Sequence, residues 1–556
     1  MMCVGYASLL IAAFTLSHPA LGFNPVVETS SGTVMGRRVQ HRDKEVDVFY
    51  GIPYAKPPLG DYRFREPFPV EPWSGTYNAT FKRPSCVQIK PKEDNSSYSP
   101  LLKMANMQPV SEDCLTLNVW RPASCGGGDC RDLPVFVYIF GGGFAVGDAS
   151  IFIYDGVHFV ASTEVIYVTM NYRVSIFGFL DAGNKEIPGN MGLLDQVMAL
   201  RWVKNNIRHF GGDPDMVTLG GQSAGAISVG YHAISPMSKG LFRRIIMESG
   251  SPLSTVGLHH ASGPGQMIAV ANVAGCYDLS RPAEQQIDEM IRCLRKKDAE
   301  ELLRAAQEGL GMKLYLYFPR IHSQFMPLDP SDPDTQLFAE VLIKKKVPLY
   351  HYAFMHKPTA SFLGNFSDEV THAEELPFTR GVIDAQRQEY QKITAGVSDP
   401  VIRDFVTTPE EVQFSEELIR TWAAFIKTGS HRVCAVDVTA AGDGFSVGCH
   451  RERKRNCARG HRIPRSPVVA NGCPSGDATL VEARCFIQAL PSGLPFLCEL
   501  AAVPPHRVHR AAVLTGGNGL RRAKPVSEKG REHYGSLHSR LRLLERYTNC
   551  RIAQLA

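Results

Sequence analysis

Apolar residues fall at two spacings along this chain, and the alternation between the spacings predicts its elements. From Pro134 to Phe140 (PVFVYIF) and from Val165 to Met170 (VIYVTM), β-branched and aromatic residues run on with little polar alternation. That pattern predicts strands buried on both faces of a mostly parallel sheet. Val217 to Leu219 and Ile245 to Met247 read as two more. Between them, Leu194, Val197, Leu200, Val203 and Ile207 recur at helical spacing and predict a helix over Leu194 to Arg208. Further helices are expected around Ala283 to Arg304 and over Phe414 to Thr428, where Gly429 supplies the stop, with another strand over Pro348 to Phe354. Strands that alternate with helices predict a doubly wound α/β sheet. Beyond Gly429 the periodicity fades into Gly, Pro and Ser turns separated by basic clusters such as Arg451-Glu452-Arg453-Lys454-Arg455.

One strand leads into chemistry. Val217 to Ser228 reads VTLGGQSAGAIS: a short apolar strand, then Gly221-Gln222-Ser223-Ala224-Gly225, then good helix formers. A sharp strand-to-helix turn needs glycines at both flanks and pushes the serine hydroxyl out above the sheet, so Ser223 is a candidate nucleophile. The pentapeptide alone also fits an ordinary tight turn; the strand before it and the helix after it favour the elbow. Upstream, Phe140-Gly141-Gly142-Gly143-Phe144 follows another predicted strand and offers amides unshielded by side chains. Gly142 and Gly143, completed by the amide of Ala224, are candidate donors to an oxyanion. By itself the glycine run would be a flexible loop; its order relative to the elbow changes that reading.

Composition alters the picture at the two ends. Residues 431–556 hold 20 Lys and Arg against 9 Asp and Glu, whereas residues 1–430 hold 40 against 46, so two kinds of sequence are joined. The tail also carries seven of the 14 cysteines. No nucleic-acid fold signature accompanies its basic clusters, and they read as a solvated segment with no nucleic-acid partner. At the start, an apolar stretch from Tyr6 to Leu16 precedes the small-residue site Ala20-Leu21-Gly22, which reads as a secretory signal over residues 1–22. A secreted, extracellular chain agrees with the cysteine content and with sequons at Asn78, Asn95 and Asn365. No later apolar run reaches the length of a transmembrane segment. The cysteines form no zinc-ligand pattern, and neither metal nor cofactor is expected.

With the elbow and glycine loop go several longer stretches: Phe49-Tyr50-Gly51-Ile52-Pro53-Tyr54-Ala55, Ser111-Glu112-Asp113-Cys114-Leu115, Asn171-Tyr172-Arg173-Val174 and Phe210-Gly211-Gly212-Asp213-Pro214. On these, residues from about Val26 to Gly429 resemble the type-B carboxylesterase and cholinesterase family, whose fold is the α/β-hydrolase. The resemblance implies disulfides Cys86–Cys114 and Cys276–Cys293, and structural ion pairs Arg63–Glu112 and Arg173–Asp195. The segment Val370-Thr371-His372-Ala373-Glu374-Glu375-Leu376-Pro377 is similar to the family's histidine loop, which makes His372 the implied catalytic base. Glu369 departs from it, standing where the family usually has glycine.

A larger departure lies between Ser223 and His372. The family places its catalytic acid there in a G-x-N-x-D/E-G segment, and this chain has none. Phe325-Met326-Pro327-Leu328-Asp329-Pro330 runs straight into Asp334-Thr335-Gln336-Leu337-Phe338-Ala339, so a block is missing near residue 331 and the fold is expected to be incomplete. Asp329, Asp332 and Asp334 are the nearest carboxylates and read as turn residues. Met104 stands where cholinesterases hold a choline-binding tryptophan, and Gln222 replaces the usual acidic residue before the nucleophile, so a neutral small-molecule ester is favoured over a choline ester. The domain expectation is a signal at 1–22, a carboxylesterase-like domain at 23–429 and a basic, cysteine-containing tail at 430–556. The expected activity is a serine esterase, impaired by the missing acid; the alternatives are a non-hydrolytic cholinesterase-like adhesion protein and an aberrant splice product.

Overall fold

The computed structural model describes residues 24–89, 109–127, 130–253, 263–310, 319–320, 323–327, 350, 352–359, 370, 372–383 and 407–430, with two strands further on at 481–485 and 498–502. Its centre is a sheet of strands β1 (Arg37–His41), β2 (Lys44–Pro53), β3 (Thr116–Pro122), β4 (Leu133–Ile139), β5 (Ile166–Met170), β6 (Gly212–Gln222) and β7 (Arg244–Glu248). In space these follow the order β7, β6, β4, β5, β3, β2, β1. The four strands from β7 to β5 are mutually parallel, and β3, β2 and β1 extend the sheet antiparallel. Parallel strands need cover on both faces, and Val135 to Ile139 of β4 and the whole of β5 are buried, as their unbroken apolar runs predict.

The helices that matter to the site are α1 (Val157–Thr163), α2 (Met191–Asn206), α3 (Ala224–Ile234), α4 (Leu376–Arg380) and α5 (Pro409–Thr428). The expected helix over Leu194 to Arg208 is α2 with a following 3-10 turn, Ile207–Phe210. Sequence chemistry fixes the ends of α5. Thr408 and Glu411 form a reciprocal capping box, Pro409 occupies the first turn, and Gly429 takes the left-handed conformation that stops the helix. The helices expected around Ala283 to Arg304 are Ile287–Lys296 and Ala299–Leu310.

Register aligns the strand ends. Gly221 of β6 stands opposite Ile139 of β4 on one side and Met247 of β7 on the other. The glycine loop, the elbow and the Glu248-Ser249 corner therefore leave the sheet at one level, at the carboxyl ends of the parallel strands where open α/β sheets form their sites.

The disulfides Cys86–Cys114 and Cys276–Cys293 are present, and a third, Cys125–Cys130, closes a short loop that sequence reasoning passed over. Arg63 reaches Glu112 at 2.7 Å, and Arg173 grips Asp195 with two bonds of 2.7 and 2.8 Å. The strand expected over Pro348 to Phe354 is a correction. Its described residues, Tyr350 and Tyr352 to Phe354, carry no strand pairing. Their rings dock on helices instead: Tyr350 on Phe425, Tyr352 on Trp422, and Phe354 on Phe378 and Phe414. An apolar segment becomes a strand only beside a strand edge in register. Among the described residues β7 pairs with β6 alone, and the described sheet ends there.

Candidate active site

Ser223 is the hinge between β6 and α3. Its backbone adopts φ 56° and ψ −124°, a conformation that L-residues rarely take and that costs on the order of 1–3 kcal/mol. Two bonds hold it there: its N–H donates to the carbonyl of Glu248, and its own carbonyl accepts from Ile227 N–H, both at 2.9 Å. The turn is possible because Gly225 has no side chain; a Cβ there would collide with the carbonyl of Ile139 at the end of β4. The glycine loop comes as close from the other side. A Cβ on Gly141 would lie 2.8 Å from the Cβ of Ser223.

Gly142 and Gly143 have φ of 129° and 62° and are partly open to solvent. The Gly142 carbonyl turns inward to accept from Ala145 and Val146 N–H at 3.1 Å. Among the described residues, the amides of Gly142, Gly143 and Ala224 donate to no protein acceptor. Ala224 adds the first amide of α3, where the helix end favours negative charge. The loop, the elbow and the helix end thus bring unspent donors beside a serine hydroxyl.

His372 stands just ahead of α4, with open surface on its solvent side. Protein packed around the ring pushes its pKa below the usual imidazole value, which favours the neutral, proton-accepting form. Its Nε2 lies 3.1 Å from Nε2 of Gln222, the buried residue next to Ser223. An amide nitrogen only donates, so this contact occupies the Nε2 lone pair and puts the ring proton on Nδ1. His372 is thereby held beside the elbow but hydrogen-bonded to Gln222, and no hydrogen bond joins it to Ser223. Among the described residues no carboxylate hydrogen-bonds its ring.

Sequence reasoning missed two cross-links behind the histidine. Arg380, at the end of α4, meets Glu248 at 2.8 Å with both side chains fully buried, and Thr379 Oγ1 donates to the other carboxylate oxygen at 3.3 Å. Ser249 Oγ donates to Glu375 at 3.0 Å; burial pushes the Glu375 carboxyl up to about 7. Burial works against the charged Arg380 guanidinium, but Glu248 together with the Tyr138 and Tyr167 hydroxyls offsets it and keeps Arg380 above its usual range. The available signal was a charge inside each of two apolar stretches, IIME and LPFTRGVI, with nothing in the sequence to pair them.

Asn78 is exposed, and its Oδ1 accepts from Thr80 N–H and Oγ1 at 3.1 and 2.7 Å. Asn95, Asn365, Met104, Glu369, Asp329, Asp332, Asp334 and the expected signal lie outside the described residues. Among the described residues, no helix is long and apolar enough to cross a membrane.

A mixed sheet with a serine elbow at the end of a central parallel strand, facing a glycine loop, defines an α/β-hydrolase. The family model described as "Carboxylesterase family" matches residues 24–336, and the chain belongs to that family. Among its relatives are an acetylcholinesterase of Bungarus fasciatus, 40% identical over 56% of this chain and 49% of the relative, and acetylcholinesterase-1 of Trittame loki, 36% identical over 58% and 57%. Carboxylesterase 3B of Mus musculus is 40% identical over 54% of this chain and 51% of its own length. The chain therefore spans about half the length of the curated relatives it matches.

Proposed function

We propose that the chain is a secreted serine esterase that cleaves small neutral carboxylic esters through an acyl-enzyme, without a cofactor. Ser223 Oγ attacks the ester carbonyl, His372 takes the hydroxyl proton and returns it to the leaving alcohol, and Gly142, Gly143 and Ala224 hold the oxyanion; water then releases the acyl group. The observation that carries the reading is Ser223, held at positive φ against three unengaged amides. In this reading the signal is cleaved after Gly22, Asn78, Asn95 and Asn365 carry glycans, residues 23–429 form the hydrolase domain and residues 430–556 a solvated tail. Turnover is impaired, because no carboxylate orients the imidazole among the described residues.

The test is covalent labelling of the purified full chain with a fluorophosphonate. We expect the adduct on Ser223 and its loss in Ser223→Ala; an adduct elsewhere, or undiminished labelling of the variant, sinks the assignment. Naphthyl acetate should be hydrolysed at least as well as acetylthiocholine, given Met104 and Gln222, and a clear preference for the cationic ester would refute that part. The lone-pair contact from Gln222 favours a second reading, a non-hydrolytic binding protein, and a folded chain that resists labelling would establish it over the first.

A further inference from the structure

Behind the proposed nucleophile and base lies a buried charge pair that no step of the proposed mechanism uses. Glu248 ends β7, opposite Gln222 in the strand register, and its backbone carbonyl accepts the N–H of Ser223 at 2.9 Å. Its carboxylate meets Arg380 at 2.8 Å. Arg380 closes α4, the short helix that begins four residues after His372. The guanidinium is boxed by aromatic rings, with its carbon 4.0 Å from the centroid of Tyr138 and 5.3 Å from that of Trp422. Tyr138 stands on β4, the strand that feeds the glycine loop. One residue, Glu248, thus holds the elbow through its backbone and the histidine segment through its side chain. The Ser249–Glu375 bond joins the same two segments a second time, one position after Glu248 and five before Arg380.

We propose that Glu248 and Arg380 are positioning residues that fix His372 over Ser223, a task that in serine triads is shared with the acid. This rests on the esterase reading above. Nothing else among the described residues anchors the imidazole except Gln222, so the distance and angle of the base depend on the span from Ser223 through Glu248 and Arg380 to His372. Arg380 Nη2 makes a single charge-assisted bond to Glu248, and the surrounding aromatic rings hold the guanidinium in a fixed direction, which a packed apolar pair would not do.

The experiment uses the full chain and the double variant Glu248→Met/Arg380→Met, because removing both charges avoids leaving one buried and unpaired. Ser249→Ala, at an exposed position, is a second variant that tests the parallel link without touching the pair. Two readouts are taken: the fluorophosphonate labelling rate of Ser223 from pH 5 to 9, and hydrogen exchange of the peptide spanning 372–383. We expect the double variant to label at least tenfold more slowly, to lose the inflection due to His372, and to exchange residues 372–380 faster while α3 stays protected. Ser249→Ala should move both readouts in the same direction by a smaller factor. Labelling rate and pH profile within twofold of the parent, or unchanged exchange of 372–380, would overturn the proposal. A parent that is folded but never labelled removes the esterase reading, and the exchange measurement alone then decides whether the pair holds the histidine segment.

Discussion

At Gln222 one amide decides the resting state of the proposed base. Its nitrogen faces His372 Nε2 at 3.1 Å, so the lone pair needed to receive the Ser223 proton is already engaged. A hydrogen bond of this kind is worth about 1 kcal/mol net. Gln222→Ala should therefore speed fluorophosphonate labelling of Ser223 by roughly fivefold; a slower rate would mean that Gln222 steers the ring and does not block it. Gly225→Ala acts oppositely, since the new methyl meets the Ile139 carbonyl. It should cost about 1–3 kcal/mol in a urea melt and abolish labelling. A third residue links the fold to pH. His232 of α3 is sealed between Ser238 and Gln196, and burial lowers its pKa to about 3 from 6.5. The folded chain holds this imidazole neutral, whereas the unfolded chain protonates it below 6.5, so its contribution is complete above that pH and is lost on acidification toward 3. The thermal midpoint should fall between pH 6.5 and 5, by up to about 1.4 kcal/mol of stability per pH unit from this group, and a His232→Gln chain should show a shallower fall. The serine and glycines were legible in the sequence because their conformational demands are local. Gln222 was read there only as a lost acidic group, because its contact with His372 crosses 150 positions of chain.

Elements in this fold owe their ends to sequence and their partners to packing. The capping box of α5 is written in Thr408-Pro409-Glu410-Glu411, and Thr408→Ala should cost about 1 kcal/mol, measurable as a shift of the denaturant midpoint. Replacing Arg380 alone by Met should cost about 3–5 kcal/mol, because Glu248 is left sealed without a counter-charge; the Met/Met pair should recover much of that loss. An equal cost for single and double variants would show that the aromatic box around the guanidinium, and not the charge pair, carries the energy. The segment at Tyr350 to Phe354 marks where element prediction fails. Its apolar, aromatic pattern suits a strand, yet strand identity depends on an available edge in register, and these rings found the surfaces of α4 and α5 first. Helix α5 was predicted over a shorter span than it occupies, since its start, Pro409 to Gln413, holds a single aliphatic residue, Val412, and is set by capping rather than by periodicity.

At the scale of the whole molecule, the parallel half of the described sheet runs from β5 to β7. The chain spans about half the length of the relatives it matches, and no G-x-N-x-D/E-G segment stands between Ser223 and His372. Tyr350, Tyr352 and Met355 are among the exposed large apolar side chains of the described residues. Inserting a family-like segment between Asp329 and Asp334 should raise both soluble yield and turnover of a neutral ester. In chymotrypsin-type triads, disabling the acid costs roughly four orders of magnitude. A parent chain already as active as the restored one would point to a carboxylate within this sequence, with Asp329, Asp332 and Asp334 the first to substitute. Sequencing the transcript across Leu328 to Thr335 and across Thr428 to Val433 separates a genuine chain from an aberrant splice product.

The sequence by itself determined the buried parallel strands, the serine elbow, the glycine loop and the capped final helix, because each follows from the conformational needs of residues close together in the chain. It also carried the two family disulfides and the Arg63–Glu112 and Arg173–Asp195 pairs, through its resemblance to relatives. Only the tertiary structure decided that β4, β6 and β7 end at one level, that Gln222 meets His372, and that Glu248 joins Arg380 in a sealed aromatic box. The two side-chain contacts join residues more than a hundred positions apart. Their energies depend on burial and direction, which exist only once the chain has folded.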